Sequence, residues 1–342
     1  MDTGAAAQMS LGVVIALVLV ALAFDFMNGF HDAANSIATV VSTRVLKPYQ
    51  AVAIAATFNF IAVFVFHLSV ARTVGRGIID QGIVDHYVVF GALIGAICWN
   101  IITWLYGIPS SSSHALIGGL VGAAVAKAGT WGLLPAGILK TVAFIFISPM
   151  LGFLLGSALF LAISWIFVRS TPSRVDRLFR RLQLFSSSLY SLGHGGNDAQ
   201  KTIGIIWMLL VAAGMTGSDE PVPNWVVVGC YVTIGLGTMF GGWRIVKTMG
   251  QRITKIRPVG GFCAELSGSI SLFIATALGI PVSTTHTITG SIVGVGATQN
   301  VSAVRWGIAG NLLWAWILTI PCSAFVAGAA WYLGRLLLAP AP

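Results

Sequence analysis

Charge is what this chain has least of. Charged residues make up 8% of its 342 residues, against about 25% in a soluble domain, while 56% are hydrophobic. Too little charge is present to coat a water-facing surface, so lipid must be the solvent for most of it. A soluble enzyme with one anchoring helix is thereby excluded. Acids are scarcer still, with ten Asp and Glu against nineteen Lys and Arg. The resulting net charge of +9 does not point to nucleic acid, because the basic residues crowd into two short connections, 169–182 and 244–258, as they do in the cytoplasmic loops of membrane proteins. The four cysteines, Cys98, Cys230, Cys263 and Cys322, lie in apolar segments without paired spacing, which excludes a disulfide framework or a cysteine metal site. The first ten residues hold no Lys or Arg, so the basic start of a secretory signal is missing. Signatures of catalysis are missing too. There is no His-Glu-x-x-His, no phosphate-binding Walker loop and no Gly-x-Ser-x-Gly, and the glycine-rich run 193–196 follows no strand. An enzyme is not expected, and neither is a resident cofactor.

What is present is a succession of apolar stretches of the length of a membrane span, among them 51–71, 88–106, 226–243 and 307–332. An all-α polytopic membrane protein follows. Ten to twelve membrane segments are expected, since 137–168 and 305–338 could each be one long helix or two. The two basic connections should face the cytoplasm. The connection 216–224, with Asp219 and Glu220 and no cation, should face outward, as should the N-terminal tail.

The chain repeats itself. Residues 107–122 read GIPSSSSHALIGGLVG and residues 279–294 read GIPVSTTHTITGSIVG, at an offset of 281 − 109 = 172. A fainter pair, NGFHDAANSIA at 28–38 and HGGNDAQKTIG at 194–204, aligns Asp32 with Asp198 at an offset of 166. Two motifs in the same order at nearly the same spacing indicate duplication, with a first repeat over 1–168, a short basic linker over 169–185 and a second repeat over 186–342. An outward N-terminus and an inward linker require an odd number of crossings in the first half. The second half then starts from the opposite side, so the repeats are expected to be inverted, with the substrate at their midplane interface.

Each Gly-Ile-Pro should end one helix and start another, because proline fits the first turn of a helix but not its interior. The hydroxyls that follow, Ser110, Ser111, Ser112 and Ser113 in one copy and Ser283, Thr284 and Thr285 in the other, then cap new helices whose free N–H groups and positive dipole ends suit an anion. The helices themselves, short and glycine-rich, should be re-entrant half-helices lining a cavity. Asp32 and Asp198 are acids in apolar surroundings, and because such a residue costs roughly 2.5–3.5 kcal/mol to insert, each is a functional candidate. Asn35, Asn197 and Gln200 add neutral polar groups for a cation or a phosphate hydroxyl. A doubly charged anion near two carboxylates needs positive charge beside it: a proton or metal ion on Asp32 and Asp198, a sodium ion, or the fixed charge of Lys201. Lys201, which aligns with Asn35, favours proton coupling over sodium. Further candidates for proton linkage are Glu265, Asp25, His31 and His194; His114 and His286 sit in the hydroxyl motifs.

The segments Gly29-Phe30-His31-Asp32-Ala33-Ala34-Asn35-Ser36 and His194-Gly195-Gly196-Asn197-Asp198-Ala199-Gln200-Lys201, with the two Gly-Ile-Pro hydroxyl motifs, closely resemble the inorganic phosphate transporter (PiT) family. The resemblance runs from about residue 23 to 333. It implies phosphate uptake by cation symport on a duplicated inverted fold in the cytoplasmic membrane, commonly as a homodimer. The Gln200-Lys201 pair resembles the bacterial low-affinity, proton-coupled branch, thought to carry neutral metal–phosphate complexes, whereas the sodium-coupled branch more often has Asn where Lys201 stands. The short linker departs from many members, which carry a soluble domain there. A sulfate permease of the same fold is the competing expectation. Against it, monohydrogen phosphate can donate a hydrogen bond to Asp32 or Asp198, and sulfate cannot.

Overall fold

A computed structural model describes residues 9–338. The expectation of an external N-terminal tail falls largely on residues 1–8, outside the described residues. Twelve α-helices follow one another among the described residues, and no strand does. The helices are α1 (Leu11–Ser42), α2 (Pro48–Ile61), α3 (Ser69–Gly77), α4 (His86–Tyr106), α5 (Ser112–Ala128), α6 (Pro135–Ile166), α7 (Pro172–Ala212), α8 (Asn224–Phe240), α9 (Trp243–Lys247), α10 (Pro258–Ala277), α11 (Thr284–Gln299) and α12 (Trp306–Leu338). Their starts are chemically marked. Pro48, Pro135, Pro172 and Pro258 occupy first turns, where the missing N–H costs nothing. Asp85 caps α4 by accepting from Val88 N at 2.8 Å. Of the stretch expected to be a basic linker, residues 172–185 are the first turns of α7, started by Pro172 and carried on by good helix formers.

Among the described residues, six helices are long and apolar enough to cross a membrane. The number is eight if two bent pairs count as spans, α2 with α3 (81°) and α8 with the segment Trp243–Arg252 (60°). That is fewer than the ten to twelve expected. The shortfall has a physical cause: α11 has only 16 residues, and the 41-residue α7 carries its buried centre as Ser, Gly, His, Asn, Asp, Gln and Lys rather than as an apolar run. The two ambiguous stretches each form one helix, α6 and α12. Each has a proline inside, Pro149 and Pro321, and 321 − 149 is again 172.

The breaks fall at the Gly-Ile-Pro motifs. Gly107 (φ 64°) ends α4 and Gly279 (φ 65°) follows α10, both in the left-handed region that glycine tolerates. The pairwise packing corresponds between halves: α5 lies on α12 as α11 lies on α6, and α1 lies on α8 as α7 lies on α2. The sequence halves therefore interleave. Glycine makes the close approach possible. A Cβ on Gly122 would run into the backbone of Ala324, and one on Gly294 into the backbone of Phe153. With Gly118 and Gly290 one turn earlier, these form small-xxx-small faces on α5 and α11, the packing used where lipid removes the hydrophobic drive between helices.

Candidate functional site

The two hydroxyl motifs meet at the centre. Ser111 caps α5 by accepting from His114 N at 3.1 Å, and Ser283 caps α11 by accepting from His286 N at 3.2 Å. The imidazoles of His114 and His286 pack edge to face with centroids 4.7 Å apart, so the two helix N-termini face each other. Two positive dipole ends converge there with buried hydroxyls.

Positions 35 and 201, which share the offset of Asp32 and Asp198, cross between halves. Asn35 Nδ2, on α1, donates to Thr284 Oγ1 (3.1 Å) and Thr285 Oγ1 (2.9 Å) of the second hydroxyl motif. Lys201 Nζ, on α7, donates to Ser113 Oγ of the first. It also donates to Asp198 Oδ1 (2.5 Å) and to the Val282 carbonyl (2.7 Å). Asp198 lies one turn before Lys201 on the same helix face, which is why an i, i+3 spacing yields this ion pair. Its other oxygen accepts from Thr284 Oγ1 at 3.3 Å. His194 Nε2 is 3.3 Å from that oxygen but off the hydrogen-bonding direction. Asp32 takes its contact from His31 Nδ1 (2.7 Å), and His31 Nε2 reaches Thr103 Oγ1 (3.1 Å), which in turn accepts from Ser110 Oγ (2.9 Å). Neither aspartate stands at an unwound turn; both lie inside continuous helices.

The two aspartates come together with a third group. Asp32, His194 and Asp198 each offer an atom within 4.8 Å of those of the other two, and all three residues are buried. The oxygens and imidazole nitrogen of this cluster could bind a hard or borderline cation. It lies beside the hydroxyls, so anion and cation sites share Asp198. Several polar atoms here have no partner: Asn35 Oδ1, Ser36 Oγ and Ser112 Oγ, as well as both ring nitrogens of His114 and of His286. Unpaired buried polar atoms are costly, and their concentration at the helix junction marks a place that a polar ligand would satisfy.

Other candidates are hydrogen-bonded to neighbouring helices and loops. Both ends of the Gln200 amide bind backbone at the start of α3, accepting from Val70 N (2.9 Å) and Ala71 N (3.3 Å) and donating to His67 O (2.8 Å). Asn197 donates to Thr276 Oγ1 (2.9 Å) and Ile280 O (3.1 Å) and accepts from Val282 N (3.3 Å), which fixes the second Gly-Ile-Pro loop. Asp25 Oδ1 accepts from Thr202 Oγ1 at 2.8 Å, while its other oxygen is buried without a partner. Glu265 joins three helices by accepting from Thr39 Oγ1 (2.5 Å), Gln183 Nε2 (3.0 Å) and Ser186 Oγ (2.5 Å). Glu265→Gln turns one acceptor into a donor that faces donors, so unfolding in detergent is expected to show a loss of about 1–3 kcal/mol; an unchanged midpoint would mean the cluster contributes nothing to stability.

Two positioning residues went unforeseen. Tyr190, fully buried, donates to the Thr284 carbonyl at 2.8 Å, and Thr103 links His31 to Ser110. Neither stands in a repeated motif, so the sequence carries no signal for them.

Fold and centre together define a polytopic membrane protein with a buried polar site between two repeated hydroxyl-capped helices. The chain belongs to the phosphate transporter family, whose profile matches residues 28–175 and 168–327. That is a family of transporters, not of enzymes. A protein of Rhizobium meliloti named probable low-affinity inorganic phosphate transporter is 60% identical over 96% of this chain and 99% of its own length. One of Bacillus subtilis with the same name is 46% identical over 94% of this chain and 97% of its own. Among solved structures, one named the sodium-dependent phosphate transporter superimposes with a TM-score of 0.87 at 25% identity, covering 96% of this chain and all of that one.

Proposed function

We propose that this protein imports inorganic phosphate across the cytoplasmic membrane by cation symport, coupled to protons. The phosphate is held between the N-termini of α5 and α11. Ser110 to Ser113, Ser283, Thr284 and Thr285 supply hydroxyls, and Asn35 and Lys201 complete the cradle. Asp32, Asp198 and His194 take the accompanying positive charge, as a proton or as the metal ion of a metal–phosphate complex. One observation carries this reading: Asn35 and Lys201, at matching positions of the repeated motif, each reach the hydroxyl motif of the opposite half. Such crossed contacts let a ligand at the junction sense both halves at once, as alternating access requires. The relatives named as low-affinity phosphate transporters support the substrate.

Lys201 is the reason to prefer protons. Its buried ammonium occupies, as a fixed charge, a position from which a sodium ion could otherwise balance Asp198. Asp25, His31 and Glu265 are relay positions in the same scheme. The second reading is sodium coupling, favoured by the name of the structural neighbour. The proposal includes inverted repeats over 1–168 and 186–342 joined at 169–185, ten to twelve membrane segments, an external N-terminus and a homodimer. Inversion is supported by the chain's course. From the junction where His114 and His286 meet, α5 leads to Lys127, paired with Asp85 at 2.7 Å, while α11 leads to a different part of the molecule, where Arg305 N donates to Ile253 O.

The test is uptake of labelled phosphate into proteoliposomes under an imposed pH gradient and, separately, a sodium gradient. Accumulation driven by pH, poorly competed by sulfate and lost in Asp198→Asn, is expected. Accumulation with sodium alone overturns the role given to Lys201, and uptake of sulfate alone overturns the substrate.

A further inference from the structure

A cavity of about 550 Å³ opens where the end of α1 meets the segment after α9. It is lined by Val41, Ser42, Arg44, Gln251, Lys255 and Ile256. Two cations line it and no carboxylate does. Arg44 holds the left-handed backbone conformation (φ 57°), uncommon for a residue with a side chain. Its carbonyl is bound by the guanidinium of Arg180 at 2.6 Å, which also reaches the Thr43 carbonyl at 3.4 Å. A third cation thus adjoins the cavity and fixes the chain that carries the first. Ser42 and Gln251 add neutral hydrogen-bonding groups.

The cavity is in line with the centre. Asn35, Thr39 and Ser42 fall at i, i+4 and i+7 on α1 and therefore share one face of it. Polar side chains recur turn by turn along that face from the cradle to the cavity, with Ala38 between them, and Ser36 beside it has an unpartnered buried hydroxyl. Gly250 allows the opposing segment to lie directly against this face: a Cβ there would come within 2.7 Å of the Ala38 carbonyl and 3.0 Å of Ser42 Cβ.

We infer that this cavity is a second anion site, in series with the central one, which takes a phosphoryl oxyanion leaving the centre on the side that carries Arg44, Arg180 and Lys255. The inference rests on the phosphate reading above. An Arg fork pairs with two phosphate oxygens while Lys acts as a point charge, so the pair suits a tetrahedral oxyanion. Both side chains are exposed, so binding is weak and salt-sensitive, which favours release over retention. The same chemistry would accept inorganic phosphate or the headgroup of an anionic lipid, and the transported ion is the one proposed.

The test compares wild type with Arg44→Asn/Lys255→Gln; asparagine tolerates the left-handed backbone. Phosphate exchange is measured from each face of uniformly oriented proteoliposomes. Half-saturation is expected to rise about tenfold from the Arg44 face and to stay unchanged from the other. Arg44→Lys/Lys255→Arg, which keeps the charge, should restore most of it. Equal shifts from both faces, or none, overturn the proposal. If the wild-type value follows the phosphatidylglycerol content of the vesicles and the variant's does not, the occupant is a lipid headgroup and inorganic phosphate is excluded. Equilibrium binding of labelled phosphate to the detergent-solubilised protein separates this from the transport reading. A component lost in Arg44→Asn/Lys255→Gln supports the second site even if no transport is seen, and its absence overturns the second site even if transport is normal.

Discussion

Lys201→Ala is expected to abolish phosphate uptake and to cost about 3–5 kcal/mol of stability, because it strands a buried Asp198 without its counter-charge. The ammonium makes three contacts at once: to Asp198, to Ser113 across the repeat interface and to the Val282 carbonyl of the second Gly-Ile-Pro loop. Removing it deletes a cation that touches both the first hydroxyl motif and the loop of the second. The stability and transport effects separate in a cycle. Lys201→Ala/Asp198→Asn removes both charges and should recover most of the lost stability, since the unpaired charge is the costly element. It should not recover uptake, because the anion has lost the Lys201 charge and the cation one of the three groups that would hold it. Thermal unfolding in detergent and uptake into proteoliposomes measure the two halves of this prediction. A Lys201→Ala protein that is stable and still accumulates phosphate with sodium would remove the argument for a fixed charge.

Gly122→Val is expected to cost about 3 kcal/mol or more, enough to lower the yield of folded protein, and Gly294→Val to match it. Each added side chain would strike backbone rather than a movable side chain, Ala324 of α12 in one case and Phe153 of α6 in the other. Relief requires the helices to move apart, and those helices hold the hydroxyl-capped N-termini in register. Gly229 on α8 is the control: nothing lies within 4 Å of a Cβ there, so Gly229→Val should be near neutral. Size-exclusion profiles and unfolding midpoints of the three variants, compared side by side, test the claim. A well-folded Gly122→Val protein would show that α5 and α12 do not pack as closely as this.

The sequence by itself determined the solvent and the repeated chemistry. Eight percent charge excludes a water-facing coat, and the Gly-Ile-Pro motifs had to break helices because proline removes a donor and glycine relaxes most readily into the left-handed turn seen at Gly107 and Gly279. The capping roles of Ser111 and Ser283 also follow from local rules, since a cap involves residues three apart in the chain. The nearness of Asp32 to Asp198 was only suggested by their matching positions, because two residues 166 apart meet only if the halves pack face to face.

The tertiary structure decided which polar groups are free. Asn197 and Gln200 looked like ligands in sequence, yet the Asn197 amide is bound by the Thr276 hydroxyl and the backbone at 280 and 282, and the Gln200 amide by backbone at 67–71. Glu265 looked like an isolated intramembrane acid and is instead surrounded by donors from α1 and α7. Thr103 and Tyr190 gave no signal at all. A hydrogen bond's partner depends on a few tenths of an ångström and on direction, and sequence spacing fixes those only within a helix or turn. Between helices they are set by how closely the backbones approach, and here glycines such as Gly122 and Gly294 set that approach.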